Sequence, residues 1–159
     1  MRAFAIFATG LLVGGIVQTA IGQSQNRGIV GVNHVGITVP DIDAAVSYYT
    51  DTLGFKEAFR SLDDAGDARL VYMQVSQNTF VELNRGIDRP PGINHVGIHV
   101  EDVDAVAAMF KAAGAEVTEV RRSPTGAILA NVMDLNGTRI ELAELPPESD
   151  HRKAMNRWR

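Results

Sequence analysis

Apolar and polar positions along this chain keep two periods, and each period returns in the second half. From Val30 to Val39 the aliphatic residues Val35, Ile37 and Val39 fall on every second position, which predicts a strand with one aliphatic face. Pro40 stops it. Ala44, Ala45, Val46 and Tyr48 follow at helical spacing, behind Asp41 or Asp43 as the capping residue and ahead of Gly54 at the expected C-terminal cap. Residues 55–61, 69–76 and 79–84 read as three more strands, separated by an acidic loop over 62–67 and a turn at Gln77-Asn78. The predicted order is β-α-β-β-β.

Residues 93–145 repeat it. A strand over 93–100 leads to a helix that starts at Asp102 or Asp104, runs to about Ala113 and ends at Gly114. Strands over 117–122, 127–134 and 138–142 follow, with Asn136-Gly137 as a hairpin turn. Pro90-Pro91, in the link between the halves, can extend neither element. The likeness reaches single residues. Asn33-His34-Val35-Gly36-Ile37 returns as Asn94-His95-Val96-Gly97-Ile98, and Thr79-Phe80-Val81-Glu82-Leu83 returns as Thr138-Arg139-Ile140-Glu141-Leu142. The pattern predicts an α+β fold of two tandem βαβββ modules, 30–85 and 92–145, with a C-terminal tail over 146–159. In that tail Ser149 or Asp150 caps a short basic helix, expected to be solvated with Trp158 docked on the body.

Strand alternation places the chemistry. Val35, Ile37 and Val39 share the face that should meet the helix, which turns His34 to the other side. By the same parity His95, Glu82 and Glu141 also lie on faces away from the helices. A lone strand histidine is ordinarily structural and a lone strand glutamate is ordinarily solvated. Their duplication at matched positions makes them a set, and two imidazoles with two carboxylates suit Zn²⁺, Ni²⁺, Co²⁺, Mn²⁺ or Fe²⁺ with positions left open. His99 shares the His95 face and Arg139 the Glu141 face, so both are candidates for a substrate pocket. A hydrogen-bonded structural His99 and an ion-paired Arg139 are the plainer alternatives. One of Tyr72 and Met73, on opposite faces of one strand, turns toward the same side.

Composition adds limits. The chain has 159 residues, 45% hydrophobic and 21% charged, with a net charge of −4. No long basic run precedes the C-terminus, which argues against a nucleic-acid partner. Met1-Arg2, an uncharged apolar stretch from Ala3 to Ala20 and the small residues around Ala20-Ile21-Gly22 form a signal-peptide pattern over 1–22, which predicts a periplasmic or secreted protein with no membrane attachment after cleavage. An uncleaved anchor is the competing reading, disfavoured by Gly10, Gly14 and Gly15. With no cysteine there is neither a disulfide nor a thiol nucleophile. No nucleophile elbow, phosphate loop or dinucleotide fingerprint occurs.

The run from His34 to Phe55, the second His95-Val96-Gly97-Ile98-His99-Val100 and the closing Asn136-Gly137-Thr138-Arg139-Ile140-Glu141-Leu142 resemble the vicinal oxygen chelate superfamily. That group includes glyoxalase I, methylmalonyl-CoA epimerase, extradiol dioxygenases and bleomycin- and fosfomycin-resistance proteins. The resemblance covers about residues 30–145. It implies a cupped, half-barrel mixed sheet with helices on its convex face, and one divalent metal ion per site held by His34, Glu82, His95 and Glu141. It also implies a small-molecule substrate and a homodimer, with facing modules drawn from one chain or from two subunits. The two-His, two-Glu set is most like glyoxalase I and the epimerase. That likeness implies a metal-dependent lyase or isomerase: the metal as Lewis acid lowers the cost of an enediolate, Glu141 is the base and Glu82 its counterpart. Two alternatives stand beside it: a ring-cleaving dioxygenase with Fe²⁺ on His34, His95 and Glu141, and a non-catalytic small-molecule binder. Export would argue against glutathione or coenzyme A conjugates as substrates.

Overall fold

The computed structural model describes residues 27–87 and 89–159. The signal-peptide expectation, on residues 1–22, lies outside the described residues. No helix among the described residues is long and apolar enough to cross a membrane.

The first module is β1 (Ile29–Val39), α1 (Ile42–Ser47), β2 (Lys56–Leu62), β3 (Ala68–Ser76) and β4 (Thr79–Arg85). Asp41, not Asp43, caps α1: its Oδ1 accepts from the Ala44 amide at 2.9 Å. The helix widens into a π turn over Tyr48–Thr52, where the Thr50 hydroxyl donates back to the Val46 carbonyl at 3.0 Å. Gly54 then closes the helical stretch at φ +72°, as its position predicts.

The second module is β5 (Gly92–Val100), α2 (Val103–Ala112), β6 (Arg121–Arg122), β7 (Ile128–Met133) and β8 (Arg139–Glu144). Asp102 caps α2 through the Ala105 amide, and Gly114 follows the helix at φ +93°. The strand expected over 117–122 is reduced to β6 and a single bridge between Val117 and Val132. The Thr118 hydroxyl accepts from the Asn131 amide there, in place of a strand carbonyl.

All eight strands form one mixed sheet, in the order β2-β3-β4-β1-β5-β8-β7-β6. β1 runs parallel to β4, and β5 parallel to β8, while β1 and β5 meet antiparallel at the centre. Both modules of one chain therefore build the sheet, and no second subunit is needed to bring them face to face. On the convex side, α1 covers Val71, Met73 and Leu83, and α2 covers Val100, Ala130 and Leu142. Of the aliphatic positions that alternation assigned to the helices, Val39, Val81 and Leu83 pack under α1 and Ile98, Val100, Ile140 and Leu142 under α2, while Val35, Ile37 and Val96 stay half-buried outside both clusters.

The tail departs from expectation. A third helix, α3 (Asp150–Arg157), is capped by the Ser149 hydroxyl and buries His151, Ala154 and Met155. Those positions have i, i+3, i+4 spacing and form one apolar stripe. The stripe packs on the concave side against Tyr72 and Phe80 of the first module and Leu129 and Ala143 of the second. The tail is therefore a bridge across the cup rather than a solvated appendage. Trp158, expected to dock the tail, sits only partly buried with the Lys56 ammonium 5.8 Å from its ring.

Candidate metal centre

The centre of the sheet is built on a crossed register. β1 and β5 pair so that His34 lies opposite Gly97 and Gly36 opposite His95, with Val35 opposite Val96 between them. Each module's histidine therefore rests over the other module's glycine. A β-carbon on Gly97 would lie 2.0 Å from His34 Cε1, and one on Gly36 would lie 2.0 Å from His95 Cε1. Only hydrogen fits there, which explains the His-Val-Gly spacing in both halves. The register also skips Asn33 on β1 and Asn94 on β5. These bulges re-aim the residues beside the histidines.

The two asparagines orient the rings. Asn33 Nδ2 donates to the Asn78 carbonyl at 3.1 Å, which leaves Asn33 Oδ1 to accept from His34 Nδ1 at 3.0 Å. Asn94 Nδ2 donates to the Thr38 hydroxyl at 2.9 Å, and its Oδ1 and the Arg139 guanidinium both meet His95 Nδ1. With its proton on Nδ1, His34 carries a lone pair at Nε2. That nitrogen faces His95 Nε2 at 2.9 Å. The contact is satisfied by a proton on His95 Nε2 or by a cation between the two nitrogens.

The carboxylates close the group. Glu82 Oε2 is 3.3 Å from His34 Nε2 and 3.1 Å from His95 Nε2, and Glu141 Oε1 is 3.5 Å from His34 Nε2. One ligand atom from each of the four residues lies within 4.8 Å of every other, and all four residues are buried. Atoms about 2.0–2.2 Å from a common ion are spaced about 3–4.5 Å from one another, so the donor set fits a divalent metal. The structure thus brings together the four candidate ligands within a single chain.

The two carboxylates are held differently. Tyr72, on the strand next to β4 and directly across from Glu82, donates its hydroxyl to Glu82 Oε2 at 2.8 Å. Of Tyr72 and Met73 it is therefore Tyr72 that faces the cup. Burial alone would raise the Glu82 carboxyl, but His95, His34 and the Tyr72 hydroxyl hold it at about 2. A bound cation would exert the same pull from the same point. Burial first, and then the charges of Glu82 and Glu141, push the Tyr72 hydroxyl well above its usual range, so it stays a neutral donor. Glu141 has no such hydroxyl. Its Oε2 instead faces the guanidiniums of Arg139 at 3.8 Å and Arg121 at 4.0 Å.

The candidate pocket residues separate. Arg139 stays at the centre, with Nη2 2.7 Å from His95 Nδ1, and lines a cavity of about 220 Å³ beside Glu82 and Glu141. The ion pair expected as the plainer alternative is present, with Glu141 at 3.8 Å. His99 lines a different depression with Val30, Glu101, Glu144 and Arg152, and its Nε2 lies 3.4 Å from Arg152 Nη2. Its pKa is lowered by burial and by Arg152. Alternation put His99 on the correct face, but four residues of strand rise carry it about 13 Å from His95.

Sequence reading missed Asn33, Asn94 and His151. The asparagines carried a signal, since each precedes its histidine in both repeats. His151 is buried among Tyr72, Phe59 and Phe80, with ring centroids at 4.4, 4.8 and 5.6 Å, and 6.1 Å from His34. Neither of its ring nitrogens has a hydrogen-bond partner among the described residues.

Comparison with known proteins agrees with this architecture. Residues 33–131 match the family model described as Glyoxalase/Bleomycin resistance protein/Dioxygenase superfamily. The chain is 34% identical over 109 residues to 2-epi-5-epi-valiolone epimerase of an Actinomyces species; the alignment covers 54% of this chain but only 60% of that enzyme. It is 30% identical over 131 residues to ethylmalonyl-CoA/methylmalonyl-CoA epimerase of Cereibacter sphaeroides, covering 72% of this chain and 97% of the relative. The solved methylmalonyl-CoA epimerase from Mycobacterium tuberculosis superposes with a TM-score of 0.66 at 26% identity, over 74% of this chain and 89% of that one.

Proposed function

This chain belongs to the glyoxalase/bleomycin resistance protein/dioxygenase superfamily, and from that premise we propose that it is a metal-dependent isomerase or lyase that removes a proton next to a carbonyl in a small oxygenated substrate. The observation that carries the proposal is the convergence of His34, Glu82, His95 and Glu141 within 4.8 Å. A divalent ion held by these residues would supply Lewis acidity to the substrate carbonyl and to the negative charge that grows as the proton leaves.

The residues of the chain do the rest. His34 and His95 would be the neutral ligands, with Asn33 and Asn94 placing their rings through contacts at Nδ1. Glu82 is anchored by Tyr72. Glu141, without a hydroxyl partner and facing the cavity, is the carboxylate freer to take the proton. Glu82 and Glu141 come from opposite modules, so they approach a substrate from opposite sides. A proton removed by one and returned by the other inverts a carbon centre. A proton removed and returned by Glu141 alone moves it between neighbouring carbons. The names of the relatives favour the first outcome.

The presence of Glu82 in the cluster weighs against the three-ligand dioxygenase reading. The test is solvent deuterium exchange at the carbon next to the carbonyl, followed by NMR with metal-loaded protein and a panel of α-hydroxy and α-oxo compounds. Exchange that needs the ion, and that falls about 100-fold or more in Glu141→Gln with metal content retained, supports the reading. Full exchange in Glu141→Gln removes Glu141 as the base. Oxygen uptake with a catechol and no exchange replaces the reading with the dioxygenase.

A further inference from the structure

The cavity beside the ligand cluster is lined by four arginines and two glutamates: Arg69, Arg89, Arg121 and Arg139 with Glu82 and Glu141. No lysine lines it. Four guanidiniums against two carboxylates give an excess of positive charge in a chain whose net charge is −4. A metal ion beside them would enlarge that excess. The arginines come from the first strand residues of β3, the link between modules, β6 and β8, so both walls of the cup contribute. Among the described residues, neither Arg69 nor Arg89 has a carboxylate within 4.0 Å. Like charges gathered in a small space repel unless an anion joins them, and the planar guanidinium fork matches carboxylate and phosphate oxygens.

Size narrows the ligand further. The cavity holds about 220 Å³, below the range of about 300–1,000 Å³ usual for drug-sized ligands. Behind its Tyr72 and Leu129 lining packs α3, whose Ala154 and Met155 share one cluster with Phe80 and Ala143. The Gln74 side chain donates to the Ala154 carbonyl at 3.4 Å, and the Arg152 Nε donates to the Leu145 carbonyl at 3.1 Å, which tie the helix down from both modules. The small volume limits length, and the arginines select charge.

We infer that this pocket takes a small, free anion, an α-oxygenated carbonyl compound bearing a carboxylate or phosphate, with the anionic group held by Arg69, Arg89 and Arg121 and the oxygenated end turned toward Glu82 and Glu141. The inference deepens the proposed function and rests on it for the oxygenated end alone. Isothermal titration of the zinc-loaded protein tests it, with malonate, phosphoglycolate, neutral malonamide and malonyl-coenzyme A as probes. At least one small anion is expected to bind at least ten-fold more tightly than malonamide, and the tighter of the two names the anionic group. Arg69→Ala and Arg121→Ala, at surface-accessible positions on opposite walls, are each expected to weaken that binding at least five-fold with zinc content unchanged. Equal binding of malonamide, unchanged affinity in both variants, no binding of either anion, or tighter binding of malonyl-coenzyme A than of malonate would each overturn it. Because binding is read without turnover, a protein that takes the anion but shows no deuterium exchange loses the proton-transfer reading and keeps this one.

Discussion

The His34 ring lies so close over Gly97 that a methyl group on the glycine would sit 2.0 Å from His34 Cε1. Neither Gly97 nor its counterpart Gly36 has a positive φ, so nothing in the backbone itself demands glycine there. The demand comes from the imidazole of the other module. In Gly97→Ala the ring must swing out, and His34 Nε2 leaves the cluster it shares with His95, Glu82 and Glu141. Zinc affinity is expected to fall at least 100-fold, with Gly36→Ala doing the same through His95. Equilibrium dialysis checks it. Wild-type affinity in Gly97→Ala would break the link between the crossed register and metal binding.

Local patterns were legible and distant juxtapositions were not. The caps at Asp41 and Asp102 and the terminating Gly54 and Gly114 follow from spacing within ten or so residues, and the four ligand candidates follow from the internal repeat, both of which sequence records directly. The pairing of β1 with β5 depends on how the modules meet, and no local period encodes it. The same holds for Arg69, Arg89 and Arg121, which lie on separate elements and converge only when the cup closes. The C-terminal helix was visible as a helix, and its stripe of His151, Ala154 and Met155 was present. What hid its role was its basic remainder, which reads as a solvated face until the concave side it fills is known.

Asn33 sits between two constraints, donating to the Asn78 carbonyl at 3.1 Å and accepting from His34 Nδ1 at 3.0 Å. It fixes which imidazole nitrogen is free to ligate. Removing such an outer partner ordinarily costs about 10- to 100-fold in metal affinity. Asn33→Ala is expected to show a loss in that range. Asn33→Asp keeps an acceptor for Nδ1 and is expected to recover most of it. Titration calorimetry with zinc distinguishes the two, and equal affinity in wild type and Asn33→Ala would make the contact incidental.

His151 gives the apoprotein a pH dependence of defined sign. Burial first, then the charge of His34, lowers its pKa from the ordinary 6.5 to about 3, with Glu82 opposing and His99 adding a little. The unfolded chain therefore takes up a proton below pH 6.5 that the folded chain refuses until about pH 3. Stability is complete above pH 6.5 and falls as pH drops through that window, by on the order of 5 kcal/mol in total. Glu82 is depressed from 4.5 to about 2, so its own contribution is present above pH 4.5 and lost only below it. The upper part of the window thus belongs to His151 and, in the same direction, to the partly buried His99 beside Arg152. His151→Phe keeps a ring among Phe59, Tyr72 and Phe80 and removes the titration. Urea unfolding of metal-free protein at pH 7 and pH 5 is expected to show a shallower loss in the variant. At pH 7 the variant should match or exceed wild type, because two buried ring nitrogens without partners are removed, each costing about 1–3 kcal/mol. An unchanged pH slope in His151→Phe would show that α3 releases the ring to solvent before it takes up its proton.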